Sequence, residues 1–279
     1  MPMTIKEIEQ TLEEGQSLKQ IAQAYSEIAH QKLKKIRDQV EKNRLFYDEI
    51  SRLYGLVRVI AARKGITVTK SKKRVCILQT SNYRFYGNIN SALINFFIEK
   101  TKDWDTDRII IGKVGIEYFQ STKIFPPFTP MVLKDDPPSP NELNAFVHVV
   151  KTYHQVLIFY SRLKSLLVQE PAVTDITETS QQVPLNSSPD THFIFEPEIA
   201  KTLQFFDNQI LILLLEEAFL ESEVARTASR FISMDKAETA ANKFIKEYKT
   251  LKAYSEISIL NRRLLESIAS TLAVRGAAD

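Results

Sequence analysis

Few side chains in this sequence combine the residue types and spacing that catalysis or ligand binding requires. The single cysteine, Cys76, cannot form an internal disulfide or a cysteine-based zinc site, and the apolar run around it predicts a buried thiol. Ser81 lies outside any G-x-S-x-G pattern, so we expect it to help a helix begin rather than act as a nucleophile. The histidines lack metal-ligand spacing; they are His30, His148, His154 and His192. The sequence therefore predicts no catalytic, cofactor-binding or metal-ligating residue.

Glycine is scarce, with seven in 279 residues and none between positions 116 and 275. Phosphate-binding loops need glycine, because only a backbone without a Cβ can approach a phosphate closely and turn tightly. Neither G-x-G-x-x-G nor the G-x-x-x-x-G-K-[ST] P-loop occurs in the sequence. We therefore expect that the chain does not bind a nucleotide by itself.

Proline divides the chain into three parts. Ten of the eleven prolines lie between Pro126 and Pro197, so both ends of the sequence can form long helices. We predict an N-terminal helix in residues 1–65, an inserted α/β domain in 66–192 and a C-terminal helix in 193–279. The first residues lack the pattern of a signal or transit peptide, and the longest aliphatic run has six residues. These features predict a cytoplasmic protein with no segment inserted in a membrane.

Both ends carry the apolar spacing of a coiled coil. From Ile5 to about Arg63 apolar residues recur at steps of three and four, with an inferred change of phase near Ala29. The segment from Glu198 to Arg275 contains neither proline nor glycine and would extend about 117 Å as one helix. The predicted seam between the two helices consists of Ile21, Tyr25, Ile28, Met234, Ala237, Ala241 and Phe244.

Short β-rich runs between the arms predict a parallel sheet. Residues 74–79 and 108–112 flank a helical stretch from Asn88 to about Asp103, which is the order of a βαβ unit. A second helix is predicted from Asn141 to His154, followed by a strand over 155–160. The predicted fold is therefore an antiparallel coiled coil of the terminal helices with an inserted Rossmann-like α/β domain.

Charge clusters favour the antiparallel orientation. Residues 1–75 carry 16 basic and 9 acidic side chains, whereas residues 196–223 carry seven acids and one lysine. An antiparallel pair would set the basic end of the first helix, 52–64, beside the acidic stretch at about 215–225. The alternative is that both clusters are simply solvated. The overall charge of +3 does not predict binding to nucleic acid.

This plan resembles the gamma subunit of the rotary F-type ATP synthase. The family's first helix, with R-I-x₈-K-I-T-x-A-M-x-x-V-A-x-x-K-L, is similar to a gapless stretch that contains Ile21, Ala24, Ala29 and Lys32. Its S-D-R-G-L-C-G-G-x-N turn is similar to residues 81–90, and its I-x-x-G-K to 110–113. Its V-Y-x-x-F strand and Q-E-P resemble 159–160 and 169–171. The F-E-P and R-M-x-A-M-x-x-A motifs that begin its last helix resemble 195–197 and 230–241.

The sequence departs from the family near the end of the last helix. The family's R-Q is Glu256-Ile257, its I-T-x-E is residues 260–263 and its terminal Gly-Ala is Ser270-Thr271. The resemblance implies that these residues form a rotor tip touching catalytic beta subunits, and it assigns a partner interface to Glu256, Asn261, Arg262, Arg263 and Glu266.

The resemblance also implies the partners. They are alpha- and beta-type subunits, an epsilon- or delta-type stalk subunit and the membrane c-ring, at the cytoplasmic face of a bacterial inner membrane. The chain would perform no chemistry itself and would need no cofactor. Two alternatives stay open: a coiled-coil adaptor that kept the fold but lost rotation, and an α/β enzyme with helical arms.

Overall fold

Two long helices occupy the ends of the chain. The structure is a computed structural model that describes residues 4–64, 73–122, 126–177 and 198–276. Helix α1 spans Ile5–Arg63 and the last helix, α5, spans Ile199–Gly276. Both predicted helices are confirmed. The residues Phe195 to Pro197, which resemble the family's F-E-P motif, lie outside the described residues.

The segment between these helices alternates strands and short helices. In chain order its elements are β1 (Arg74–Gln79), α2 (Ile89–Thr101), β2 (Asp107–Ile111), α3 (Lys113–Ser121), β3 (Thr129–Met131), α4 (Pro140–Val150), β4 (Gln155–Leu163) and β5 (Gln169–Asp175). Helix α4 begins where a capping box forms: Glu142 N donates to Ser139 Oγ, and Ser139 N donates to the Glu142 carboxylate.

The strands form one sheet in the order β3-β2-β1-β4-β5. The pairs β1–β2, β1–β4 and β2–β3 are parallel, which confirms the predicted βαβ unit, and β5 runs antiparallel to β4. Strands β3 and β5 were not predicted. Each is an edge strand that contains a proline, Pro130 or Pro171, and an edge tolerates the missing N–H that argues against a central strand.

Helices cover both faces of the sheet. Cys76, Leu78, Ile110 and Phe159 pack with α2 and α3 on one face. On the other face, Val75, Ile77, Ile109, Ile111, Val156 and Ile158 pack with α4 and with residues of α1 and α5. The Cys76 thiol is fully buried, as predicted, and burial raises its pKa. The parallel strands are therefore apolar on both sides, which explains their continuous hydrophobic runs.

The described residues separate into two compact units. The first contains the ends of the sequence, residues up to 28 and from 231, and is called the terminal unit below. The second contains residues 29–230, with the whole sheet, and is called the central unit. Each unit contains a stretch of α1 and a stretch of α5.

The seam of α1 follows an unbroken heptad. Sixteen of its buried and half-buried residues follow one another at alternating steps of four and three: Ile8, Leu12, Gly15, Lys19, Ala22, Ser26, Ala29, Leu33, Ile36, Val40, Asn43, Tyr47, Ile50, Tyr54, Val57 and Ala61. The predicted change of phase is therefore wrong. The large apolar residues of α1 form a second row beside the seam, and this row has a stronger hydrophobic pattern than the small and polar residues of the seam itself. Ile21 and Ile28 belong to that row and are 53% and 54% exposed, while Tyr25 is half-buried.

In the terminal unit α1 and α5 run antiparallel. Lys252 Nζ lies 2.7 Å from Glu9 Oε1, and Gln23 Nε2 donates to Glu238 Oε1 at 2.7 Å. Gly15 packs against the ring of Phe244, where an added Cβ would lie 3.0 Å from the nearest ring atom. Of the predicted seam residues of α5, Met234, Ala241 and Phe244 are half-buried and Ala237 is exposed.

In the central unit α1 and α5 are also antiparallel, but the residues that lie beside one another differ from the predicted ones. Asn43 Nδ2 donates to Leu213 O at 3.4 Å, and the Tyr54 hydroxyl donates to Asp207. The predicted orientation is confirmed, but the basic stretch that begins at residue 52 lies beside residues near 207 rather than 215–225. The register is set by apolar packing over many turns, which outweighs exposed ion pairs such as Arg44–Glu217.

Replacing Gly112 with alanine should destabilise the sheet. Gly112 has φ 96°, and a Cβ there would lie 2.5 Å from Thr80 O, a backbone atom that cannot rotate away. We expect Gly112→Ala to lower the free energy of unfolding by at least about 2 kcal/mol, as strained backbone and a steric clash add. The measurement is the urea midpoint at constant slope. Gly87→Asn is the control, because Gly87 has φ 60° and is exposed, and asparagine tolerates that conformation.

Candidate functional site

The carboxyl edge of the parallel strands, where many α/β proteins bind phosphates, is occupied by the chain's own side chains. Lys113 N donates to Asn82 Oδ1 at 3.2 Å, and Gly115 N donates to Thr80 Oγ1 at 3.0 Å. Val114 N donates to the carbonyl of Ser81 at 3.1 Å. The first N–H groups of α3 therefore already have hydrogen-bond acceptors within the chain. They are not available to bind an anion, as a nucleotide site would require.

The most unusual chemistry lies where α5 passes through the central unit. Glu223 and Arg226 are completely or almost completely buried. Arg226 Nη2 donates to Glu223 Oε2 at 2.9 Å, and Arg226 Nη1 donates to Ser222 Oγ at 3.0 Å. Lys32 reaches across from α1 and forms an ion pair with the other oxygen of Glu223. A buried carboxylate is therefore held between two cations from two helices.

Electrostatics keep this cluster ionised. Burial alone raises the pKa of Glu223, but the charges of Arg226 and Lys32 outweigh burial and leave the pKa below its usual range. For Arg226 burial lowers the pKa, while the carboxylates of Glu223 and Asp136 raise it above its ordinary value. Arg226 and Lys32 therefore favour the ionised form of the buried Glu223 carboxyl.

The lowered pKa of Glu223 predicts a loss of stability in acid. A carboxyl group whose folded pKa lies below its unfolded value of about 4.3 stabilises the fold above that value. This contribution disappears as the pH falls through the folded pKa. We expect the free energy of unfolding to decrease from about pH 5 downwards, by up to about 1.4 kcal/mol per pH unit from this group.

The control for the pH series is the double variant Glu223→Leu/Arg226→Met, which removes the charge pair without leaving a buried charge on α5. Urea unfolding between pH 3 and 7 should show a smaller acid loss for the double variant than for the parent chain. Equal slopes would contradict the assignment of the acid sensitivity to Glu223.

A loop from the sheet completes the cluster. The hydroxyl of Tyr86, between β1 and α2, donates to Asp136 Oδ2 at 2.9 Å. From α5, Ser229 Oγ donates to Tyr86 O at 2.8 Å and Arg230 Nη2 donates to Arg84 O at 3.2 Å. The Arg230 guanidinium lies 4.0 Å from the centre of the Tyr86 ring. We call Lys32, Glu223, Arg226, Ser229, Arg230, Tyr86 and Asp136 the buried junction.

The loop that presents Tyr86 has a backbone suited to a tight turn. Phe85 has φ 66° and Gly87 has φ 60°. Ser81 Oγ donates to Tyr83 O at 2.6 Å and accepts from Asn90 Nδ2 at 2.8 Å. Ser81 therefore ties the end of β1 to the first turn of α2, but it does not cap that helix, whose N-cap residue is Asn88. Asp136 Oδ1 accepts from Asn82 N at 2.6 Å and joins the loops after β1 and β3.

Sequence reasoning did not identify the buried junction. In the sequence Glu223 belongs to the acidic stretch 196–223 and Tyr86 to the turn at 81–90, and neither segment shows that the two residues meet. A usable signal exists in the sequence. Glu223 and Arg226 lie in a stretch of α5, residues 210–229, in which every residue is buried or half-buried, so a fully buried charge there must be paired.

The predicted tip lies at the end of α5 in the terminal unit. Lys252 is the last α5 residue with a described ion pair to α1, and every side chain from 256 to 270 is exposed. The predicted interface residues Glu256, Asn261, Arg262, Arg263 and Glu266 all belong to this exposed stretch; Arg262 Nε lies 3.0 Å from Glu266 Oε1. Large apolar side chains stand among them: Ile257, Leu260, Leu264, Leu265 and Ile268.

Two classes of site are not found in the described parts of the chain. Within residues 4–64, 73–122, 126–177 and 198–276, no group of three or more histidine, cysteine, aspartate or glutamate side chains is arranged to hold a metal ion. None of the helices in those ranges is both long enough and apolar enough to cross a bilayer.

Comparison with known proteins agrees with this geometry. The sequence profile of the ATP synthase family matches residues 4–255. The ATP synthase gamma chain of Clostridium beijerinckii is 23% identical over 256 residues, covering 87% of this chain and 88% of that one. The gamma chain of Fusobacterium nucleatum is 23% identical over 285 residues, covering 97% and 99%.

Solved structures show the same fold. A chain of the central stalk and c-ring of the Tetrahymena thermophila mitochondrial ATP synthase matches with a TM-score of 0.59 and 20% identity, over 78% of this chain and 99% of that one. A chain of the Euglena gracilis mitochondrial enzyme, in rotational state 3, matches with a TM-score of 0.57 and 14% identity, over 90% and 97%.

Two long terminal helices with a mixed α/β sheet between them define the fold that this chain shares with those two solved structures. With most of its length matched by the family profile, the chain belongs to the ATP synthase gamma family and is a gamma-type subunit of an F-type ATP synthase. The resemblance found in the sequence is confirmed.

Proposed function

We propose that the chain acts as the rotor of a proton-translocating F-type ATP synthase. It would couple the turning of a membrane c-ring to ATP synthesis or hydrolysis in a hexamer of alpha- and beta-type subunits. The satisfied amino end of α3 and the filled carboxyl edge of the sheet support a non-catalytic role, because they leave no phosphate cradle there. ATP chemistry would then belong to the partner subunits, whose conformations the rotor biases.

The exposed end of α5 is the observation that carries this proposal. Residues 257–276 extend for about 30 Å at the rise of an α-helix. A helix end that leaves Leu260, Leu264 and Leu265 more than 60% exposed is typical of a surface that a partner covers. We assign this end to the inside of the hexamer, with Glu256, Asn261, Arg262, Arg263 and Glu266 as the polar part of the interface.

The inserted α/β domain, residues 66–192, would dock on the c-ring and on an epsilon- or delta-type stalk subunit. The turn between β4 and β5 supports a partner there, since its apolar side chains Leu166, Leu167 and Val168 are 48%, 77% and 48% exposed. The helical segments, residues 1–65 and 193–279, would form the axle. Because the relatives named above are bacterial proteins, we expect the chain to act at the cytoplasmic face of the inner membrane, as a peripheral subunit.

The test is reconstitution with the chain's own alpha- and beta-type subunits. A rotor should be present once per hexamer and should support sustained ATP hydrolysis. A coiled-coil adaptor would bind without that effect. A chain that stays monomeric and turns over a small substrate would be an α/β enzyme. Either of the last two results would contradict the rotor proposal.

A further inference from the structure

We infer that the buried junction is a torsional lock between the helices and the sheet of the central unit. It would fix α5 against both α1 and the loops after β1 and β3, so that these parts turn together under load. This inference rests on the proposed rotor function. It assigns a positioning role to Glu223, Arg226 and Tyr86, which the family resemblance did not single out.

The chemistry of the junction argues for positioning rather than simple stability. A buried ion pair gains little over apolar side chains of similar volume, because desolvation of both charges offsets their attraction. The other buried residues of α5 in this region are uncharged, among them Ala, Leu and Phe. Apolar side chains could therefore have filled the positions of Glu223 and Arg226 as well. A charged, hydrogen-bonded pair fixes a defined geometry, because hydrogen bonds depend on direction. Apolar contacts do not depend on direction and so do not fix one.

The junction joins three parts of the central unit. Lys32 binds Glu223 and so links α1 to α5. Ser229 and Arg230 donate to the backbone of the β1–α2 loop and so link α5 to the sheet. Tyr86 donates to Asp136 and thereby ties that loop to the segment after β3. Turning α5 about its own axis would break bonds in each of these directions at once.

The contrast with the exposed ion pairs supports this assignment. Lys243 and Glu247 lie on α5 itself, 4.0 Å apart, and their side chains are 80% and 62% exposed. Such a pair joins one helix to itself and cannot resist its rotation. Glu223 and Arg226 also lie on one helix, but Glu223 pairs in addition with Lys32 of α1, and both side chains of the α5 pair are completely or almost completely buried.

The experiment uses the complete synthase in vesicles, with ATP hydrolysis and ATP-driven proton uptake measured on the same preparation. The test variant is Glu223→Leu/Arg226→Met. The control is Lys243→Gln/Glu247→Gln, which removes an equal number of charges from an exposed site. We expect the test variant to keep ATP hydrolysis within about twofold of the parent and to lose at least fivefold in protons moved per ATP. Its rotor should also show greater torsional compliance in single-molecule rotation.

Rescue and a milder variant complete the test. Arg226→Lys keeps the charge and should retain most of the coupling. Tyr86→Phe/Ser229→Ala removes only hydrogen bonds and should lower the coupling ratio without a large change in melting temperature; this variant decides the question if the first does not fold. Coupling and compliance equal to the control in the folded variants would overturn the lock. If the parent chain does not occupy the hexamer axis, the rotor proposal itself fails, which is a separate result.

Discussion

A chain that ends at Glu256 is expected to melt at the same temperature as the full chain and yet to bind the alpha/beta hexamer at least a hundredfold more weakly. Every side chain described from 257 to 270 is exposed, so removing these residues takes away little of the packing among the described residues. The melting temperature should therefore stay within about 2 °C. The same residues include Leu260, Leu264 and Leu265, whose burial in a partner would supply much of the binding energy.

Two double variants separate the apolar from the polar part of this surface. Leu260→Ser/Leu264→Ser removes two large exposed apolar side chains, and Arg262→Gln/Arg263→Gln removes two charges from the same stretch. We expect the leucine variant to show most of the loss in affinity, because exposed ion pairs such as Arg262–Glu266 contribute little. Titration of the labelled chain into preformed hexamer measures both. If the truncated chain bound the hexamer with unchanged affinity, the tip would not be part of the interface.

The second large effect concerns the buried junction in the isolated chain. Arg226→Met should lower the free energy of unfolding by about 3–5 kcal/mol, because it leaves Glu223 buried without its nearest partner on α5. Adding Glu223→Leu to this variant should recover most of the loss, since it removes the buried carboxylate that would otherwise keep Lys32 but lack Arg226.

Urea unfolding of the parent, both single variants and the double variant forms a thermodynamic cycle. The coupling energy between Glu223 and Arg226 should be large and favourable, as expected for groups in direct contact. Lys243→Gln provides the control, and its free energy of unfolding should stay within about 0.5 kcal/mol of the parent. Additive losses from the two single variants would mean that the pair does not act as a unit.

Much of the architecture could be predicted from the sequence because long helices and parallel strands leave strong local patterns. The absence of proline from both ends of the sequence predicted the bounds of α1 and α5 almost to the residue. The apolar runs predicted β1, β2 and β4. The seam of α1 was harder to place. Its small residues, such as Gly15 and Ala22, carry less hydrophobic signal than the exposed row containing Ile21, although they allow closer contact with α5.

The register and the buried junction could not be predicted because they depend on contacts between distant segments. Lys32 and Glu223 are separated by most of the chain, and nothing local to either residue shows that they meet. The tip was easier to locate, since the alignment with the family extends into it. Its contacts with partners remain predictions, because exposure shows where a surface is available and not what covers it.

The most direct test of the rotor account is electron microscopy of the chain reconstituted with its own alpha- and beta-type subunits under ATP hydrolysis. If the chain is the rotor, we expect one copy of it per hexamer, with residues 257–276 on the hexamer axis and the complex distributed among three rotational positions. A complex in which the chain lies outside the hexamer, or in which its terminal helix has no contact with the beta-type subunits, would contradict it.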